Sequence, residues 1–188
     1  MNQEHRLITA LVYSDSELAD RSLRRVARCL DSAGRRLAGV VQRDTPRADR
    51  VGCDMTLEEL SSGAAIGISQ DRGPSARGCR LDLGELARAI HLVSVALKQS
   101  PDLLILNKFG KTEAEGGGFR ALIAEAVELG VRVLVAVPYR NLDQWRAFAG
   151  EMAYEIELGG EGQVGEGLLD AMFSTPSRHR PAVLGADG

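Results

Sequence analysis

Only three lysines occur among the 188 residues, and two of them, Lys108 and Lys111, flank Gly110 just ahead of the run Gly116-Gly117-Gly118. Ammonium groups beside glycine N–H groups at the start of a helix make an anion site, because the cations neutralise the ligand while the amides cradle its oxygens. A second basic stretch, Gln70 to Arg80, carries Arg72, Arg77 and Arg80 around Gly73 and Gly78. Guanidinium forks bind oxyanions in a bidentate way, and glycines let a loop fold close over a ligand. Together with Asn107, beside Lys108, these residues form the candidate ligand-binding set. The plainer readings are a flexible loop with solvated lysines and a surface loop with incidental arginines.

Other chemistries find less support. The loop after the first apolar run is where a phosphate-binding Gly-x-x-x-x-Gly-Lys-Ser/Thr motif belongs. The chain has Tyr13-Ser14-Asp15-Ser16-Glu17-Leu18-Ala19-Asp20 there, with no glycine and no lysine. A carboxylate facing a phosphate repels it by about 4 kcal/mol at an effective dielectric of 20, whereas a helix N-terminus returns about 0.3–1 kcal/mol. Asp15 and Glu17 are therefore expected as a helix cap and a first-turn charge. His5, His91 and His179 stand apart from any plausible nucleophile, so no Ser-His-Asp or Cys-His mechanism is indicated and no catalytic residue is assigned. Cys29, Cys53 and Cys79 form no Cys-x-x-Cys pair, which argues against a disulfide framework and a zinc site. Cys53 and Cys79 are expected to be spectator thiols, and no metal ligand is assigned.

The elements that must position these residues can be read from periodicity. Leu7–Tyr13, Leu37–Val41, Leu103–Leu106 and Val131–Val137 are short apolar runs suited to strands buried on both faces. Between them lie helical stripes. Leu23, Val26, Ala27 and Leu30 form one that stops near Gly34, with Arg21, Arg24, Arg25 and Arg28 as a solvated opposite face. Asp82 caps a second, containing Leu86, Ala87, Ile90 and Leu97. A third contains Phe119, Leu122, Ile123 and Ala126, and a short one spans Leu142–Phe148, with Trp145 and Phe148 in the core. Cys53–Leu60 and Ala64–Ser69 predict a β-hairpin. A last strand lies near Tyr154–Glu157, and residues 159–173 add a weak helix. The predicted fold is α/β and three-layered, a mainly parallel sheet with an added hairpin. One domain spans residues 1–173, and residues 174–188, rich in Pro, Arg, Ala and Gly, form a tail. Ligands of such sheets bind outside the strands' carboxyl ends, where residues 14–17, 107–118 and 138–141 meet and the 70–80 loop leans over.

Composition narrows the partners. A net charge of -3 from 23 basic and 26 acidic residues excludes whole-protein attraction to nucleic acid. No apolar run reaches the ~18 residues of a membrane span, and the first residues carry no apolar signal segment, so the expectation is a cytoplasmic protein with no membrane insertion.

Asp102-Leu103-Leu104-Ile105-Leu106-Asn107-Lys108-Phe109-Gly110-Lys111-Thr112-Glu113 resembles a P-loop nucleoside-triphosphatase group first described from thermophiles, as does the hairpin Cys53 to Ser69. Taken whole, residues 6–158 resemble a bacterial family, domain of unknown function 2478. The likeness is carried by Ile68-Ser69-Gln70-Asp71-Arg72-Gly73, Gly78-Cys79-Arg80-Leu81-Asp82, Asn107-Lys108-Phe109-Gly110-Lys111 and Val137-Pro138-Tyr139-Arg140-Asn141. Resemblance implies a P-loop-NTPase-like fold and, through some members of the family, an association with molybdenum ABC transporters. In the triphosphatases a strand-end Asp binds Mg²⁺ and a Glu positions water, where this chain has Asn107 and Lys108. An amide lacks the charge a hard cation wants and an ammonium repels it. The expected function is thus non-hydrolytic binding of a small anion, with molybdate or tungstate first in line. The alternatives are a triphosphate-binding or hydrolysing enzyme with altered machinery built on Glu113, Glu115, Asp15 or Glu17, and a regulatory partner of an ABC transporter. A homodimer would be unsurprising.

Overall fold

The computed structural model describes residues 7–46, 53–70 and 80–159. Its elements run β1 (Ile8–Tyr13), α1 (Ser16–Ser32), β2 (Leu37–Pro46), β3 (Cys53–Glu59), β4 (Ala65–Gly67), β5 (Ser69–Gln70), β6 (Arg80–Leu81), α2 (Leu83–Leu97), β7 (Leu103–Leu106), α3 (Lys111–Ala114), α4 (Arg120–Glu128), β8 (Arg132–Pro138), α5 (Leu142–Ala149) and β9 (Ala153–Glu157). The main sheet has the order β4-β3-β2-β7-β8-β1-β9. From β2 to β9 all pairings are parallel, and β3 and β4 add an antiparallel hairpin at one edge. This is the mainly parallel, helix-flanked sheet that the sequence predicts.

The central strands are apolar at every position because both of their faces are covered. Leu103, Leu104, Ile105 and Leu106 are all buried, but into different layers. Leu104 and Leu106 meet Leu86, Val93, Leu122 and Trp145 from α2, α4 and α5. Leu103 and Ile105 meet Leu23, Val26 and Leu30 of α1 on the other face. Asp15 starts α1 as expected, accepting the N–H groups of Glu17 and Leu18 at 2.9 and 3.1 Å, and Asp82 does the same for α2 with Gly84 and Glu85. Among the described residues no helix is long and apolar enough to cross a membrane.

One glycine is demanded by the sheet itself. Gly39 of β2 has φ +116°, and a Cβ there would lie 1.9 Å from the carbonyl oxygen of Ile105 on the neighbouring β7.

Three features depart from the sequence reading. β2 continues to Pro46 instead of ending at Val41, because β3 supplies ladder partners beyond the end of β7; Gln42 and Arg43 break the apolar run but not the hydrogen bonding. The 107–118 stretch contains a one-turn helix, α3. Ser69–Gln70 pairs with Arg80–Leu81 as a separate two-stranded ribbon, which draws the two ends of the 70–80 stretch together. Arg72, Arg77, Gly73, Gly78 and Cys79, the weak helix beyond Gly159 and the tail 174–188 lie outside the described residues, and Arg80 is placed by its backbone alone.

Candidate functional site

Parallel strands bring Tyr13, Leu106 and Pro138, the last residues of β1, β7 and β8, to one edge. The segment after β7 is held firmly. The Phe109 ring is fully buried, edge-on to Trp145 at 5.2 Å and stacked on Phe148 at 5.8 Å. Its N–H donates to the carbonyl of Ala136 at 2.9 Å, and Asn141 Nδ2 donates to its carbonyl at 3.0 Å. Arg120 caps the cluster from outside, 4.5 Å above the Phe148 ring. A buried aromatic anchor and its backbone ties leave little freedom to the neighbouring residues Asn107 and Lys108, which are joined by a cis peptide.

Asn107 is buried, and its Nδ2 donates to Oδ1 of Asp20 at 2.7 Å. Its own Oδ1 is enclosed without a partner among the described residues. Asp20 comes from the second turn of α1 and is itself buried. Tyr13 lies close by, 3% exposed. Burial chiefly, and the Asp20 carboxylate secondarily, push its phenol up to about 12 against an opposing pull from Arg140. The folded-state value is raised, so Tyr13 contributes stability that is whole below about pH 10, its unfolded value, and lost as pH rises towards 12. Of the three tyrosines, one phenolate is therefore expected to appear last in an alkaline absorbance titration. In Tyr13→Phe that step should vanish and the fall of stability between about pH 10 and 12 should flatten. An unchanged late step would reassign it.

Glu113 occupies the centre of the α3 turn. One carboxylate oxygen accepts the Gly110 N–H at 2.8 Å, and the other accepts the Phe119 N–H at 3.1 Å. A buried carboxylate with both oxygens on backbone amides is a structural anion, not a free base. Gly118, at φ +58°, lies against it so closely that a Cβ there would sit 1.9 Å from Oε1. Glu113→Gln turns one acceptor into an NH₂ facing an N–H, and should cost about 2 kcal/mol by urea unfolding. A loss under about 0.5 kcal/mol would mean that these bonds do not hold the loop.

Among the described residues, the sequence-derived candidates stand in different environments. Asn107 and Lys108 lie at the strand edge, Asn107 buried and Lys108 half-buried. Lys111 is turned to solvent with its ammonium 3.7 Å from Glu115. The N–H groups of Gly116 and Gly117 donate to the carbonyls of Glu113 and Thr112, and Gly118 packs on Glu113. Three residues at this edge, Arg140, Asp20 and Tyr13, stood outside the candidates read from the sequence, and Glu113 plays a part other than the one considered. Arg140 comes after β8 within the 138–141 stretch expected there, and its charge was the available signal. Asp20 was signalled as an acid in the i, i+3, i+7 series with Leu23 and Ala27. Glu113, considered in the sequence as a base, stands three residues after Gly110, the spacing of a reciprocal cap. Tyr13 left no signal beyond being last in its strand. A divalent cation of the kind that accompanies nucleoside triphosphates fits poorly at the end of β7, where a neutral amide stands in place of a carboxylate and the Lys108 ammonium follows it.

A family model described as Protein of unknown function (DUF2478) matches residues 8–162. Among curated proteins, the molybdenum import ATP-binding protein ModC 2 of Bradyrhizobium diazoefficiens is 37% identical over 145 residues, 76% of this chain. The chain spans only 16% of that relative's length. Among solved structures, THEP1 from the hyperthermophile Aquifex aeolicus superposes with a TM-score of 0.63 at 16% identity, covering 91% of this chain and 99% of that one. This likeness establishes a shared fold.

Proposed function

The chain belongs to the family described as Protein of unknown function (DUF2478), and from that premise we propose that it binds a small oxyanion without hydrolysing anything, on a P-loop-NTPase-like scaffold. One observation carries the reading. Lys108 and Arg140 lie just beyond neighbouring parallel strands, and among the described residues neither is paired with a carboxylate. Two unneutralised cations at adjacent strand ends, beside a phenol that stays protonated at neutral pH, favour an anion from solvent. Lys111 reaches the ligand by leaving a weak surface pair. Asn107 and the 116–118 glycines complete the proposed site, and Arg72, Arg77 and Arg80 are its further anion partners on the strength of the sequence alone.

Molybdate or tungstate is the ligand to try first, since the 37% identical relative is named for molybdenum import. The same relative supports association with an importer. The matching region is a small part of that protein, and this chain has no Gly-x-x-x-x-Gly-Lys motif, so it would act as a ligand-reporting module and not as the ATP-hydrolysing part. Calorimetry of the full chain with molybdate, tungstate, sulfate and phosphate tests this. Binding should appear with at least one, and Lys108→Ala or Arg140→Ala should each weaken it by about 1.5–3 kcal/mol, tenfold or more. No heat from any of them up to millimolar concentration removes the reading. So would phosphate release from a triphosphate that survives both substitutions.

A further inference from the structure

The two sides of the sheet carry opposite charge. Between α1 and the β2–β3 hairpin runs a groove of about 890 Å³, with Leu37, Val41 and Leu60 along its floor. Among the described residues, five arginines line it against two acids, Asp31 and Glu58, although the whole chain has 26 acidic and 23 basic residues. Some of these cations are already engaged: Arg43 faces Glu58 at 3.5 Å and Arg24 donates to the carbonyl of Gln42. Arg25 and Arg28 are exposed and have no carboxylate or acceptor among the described residues. The far edge of the sheet is β9. Six large hydrophobic side chains stand well out of the described surface, and three of them, Tyr139, Met152 and Tyr154, belong to this edge. Tyr139 is tied to it by donating its hydroxyl to Glu157 of β9. From Tyr139 to Glu157 the chain has four acids and two arginines, and Arg146 is paired with Glu155 at 2.7 Å. Asp143 and Glu151 are exposed with no cation or donor among the described residues.

One surface is apolar and basic, the other apolar and acidic, and within one molecule they stay apart. β9 stands four strands from β2, about 19 Å at the usual strand spacing. We propose that the β9 edge of one copy docks in the arginine groove of a second copy, joining the chains head to tail. Tyr139, Met152 and Tyr154 cover the apolar floor, while Asp143 and Glu151 face Arg25 and Arg28. Tyrosine, methionine and arginine are the side chains that protein interfaces favour, and matched charge sets their register. The dimensions agree. The groove tracks α1 from Leu18 to Asp31, about 20 Å at 1.5 Å per residue, and the strip from Met152 to Glu157 extends about 17 Å. A nucleic-acid backbone suits the groove less well, because Glu58 and Asp31 also line it and its floor is apolar. A membrane surface suits it less well too, since none of the six protruding hydrophobic side chains lies on α1 or the hairpin to enter a bilayer. Because the two surfaces differ, each added copy leaves one of each free, and growth continues past two copies unless a ring closes.

Sedimentation velocity of the full chain, from micromolar to near-millimolar concentration, tests this. The mean mass should climb past that of a dimer as concentration rises, and fall back when salt is added. Arg25→Glu combined with Arg28→Glu should weaken association about tenfold or more, and so should Asp143→Arg combined with Glu151→Arg. Both variants should keep the circular dichroism of the parent, since all four side chains are exposed. Mixed together, the two variants should assemble again, because each reversed groove then meets a reversed edge. A parent that stays monomeric overturns the proposal, and so does a species that stops at two copies, whose interface would have to be the same patch on both. Association indifferent to either reversal, or a mixture that stays apart, also overturns it. So does tighter binding of a DNA duplex or of phosphatidylglycerol vesicles than of the chain itself, lost with Arg25 and Arg28, because the groove would then belong to another occupant.

Discussion

Gly39→Ala is expected to yield no folded protein, or protein at least about 4 kcal/mol less stable, the range reserved for changes the backbone cannot absorb. The methyl group would have to occupy the position of the Ile105 carbonyl oxygen, at 1.9 Å. Relief would require β2 and β7 to separate, yet they are hydrogen-bonded from Leu37↔Leu103 to Val40↔Leu106 and both are buried. Strain at φ +116° adds to the overlap. Gly34 is the control: it also has a positive φ, but nothing lies within 4 Å of its Cβ position. Gly34→Ala should therefore cost only about 1 kcal/mol. Urea midpoints of the two variants at equal slope make the comparison. A Gly39 variant no worse than the Gly34 variant would mean that the two backbones do not approach so closely.

The second large effect concerns Asn107→Asp, which restores the acid found at this strand end in the resembling triphosphatases. The new carboxylate would face Asp20 where the amide now donates at 2.7 Å. Two buried carboxylates at that distance cannot both ionise, so one keeps its proton and its folded-state pKa rises above the unfolded value near 3.9. A group raised in this way contributes fully below its unfolded pKa and loses its contribution as pH climbs through the folded value. The variant should thus approach the parent in stability near pH 4 and fall behind by about 3 kcal/mol towards neutrality, the scale of an unpaired buried charge. Unfolding free energies of parent and variant across that range decide it. A deficit that stays flat with pH would place the two side chains apart.

The fold was largely legible because its strands are buried on both faces, which writes uninterrupted apolar runs such as Leu103–Leu106 and Val131–Val137 between helical stripes. The hairpin and both aspartate caps were legible for equally local reasons. The features that escaped depend on partners far along the chain. The extension of β2 is supplied by β3, and Gly39 is fixed by Ile105, sixty-six residues later. At the site, the strand order places residues 107–118 and 138–141 at one edge, as periodicity implies, and Lys108 stands there. Which polar groups turn inward was not readable. Glu113, considered as a base, is spent on two backbone amides, and Asn107, considered as a ligand contact, is tied to Asp20, eighty-seven residues away. Such pairings depend on three-dimensional register, which a single sequence does not encode locally.

The position of β1 between β8 and β9 also sets a timetable. Ile8 pairs with Val133 and Ala153, so its partners are made about 125 and 145 residues after it. At about 5–20 residues per second, a ribosome takes roughly 6–25 seconds to deliver the first of them. Throughout that wait, β1 has apolar side chains on both faces and no strand partner for its backbone. Long-range parallel pairing of this kind folds slowly and leaves strand edges open to other chains. Newly made protein should therefore depend on chaperones during synthesis far more than the finished chain does on refolding at low concentration.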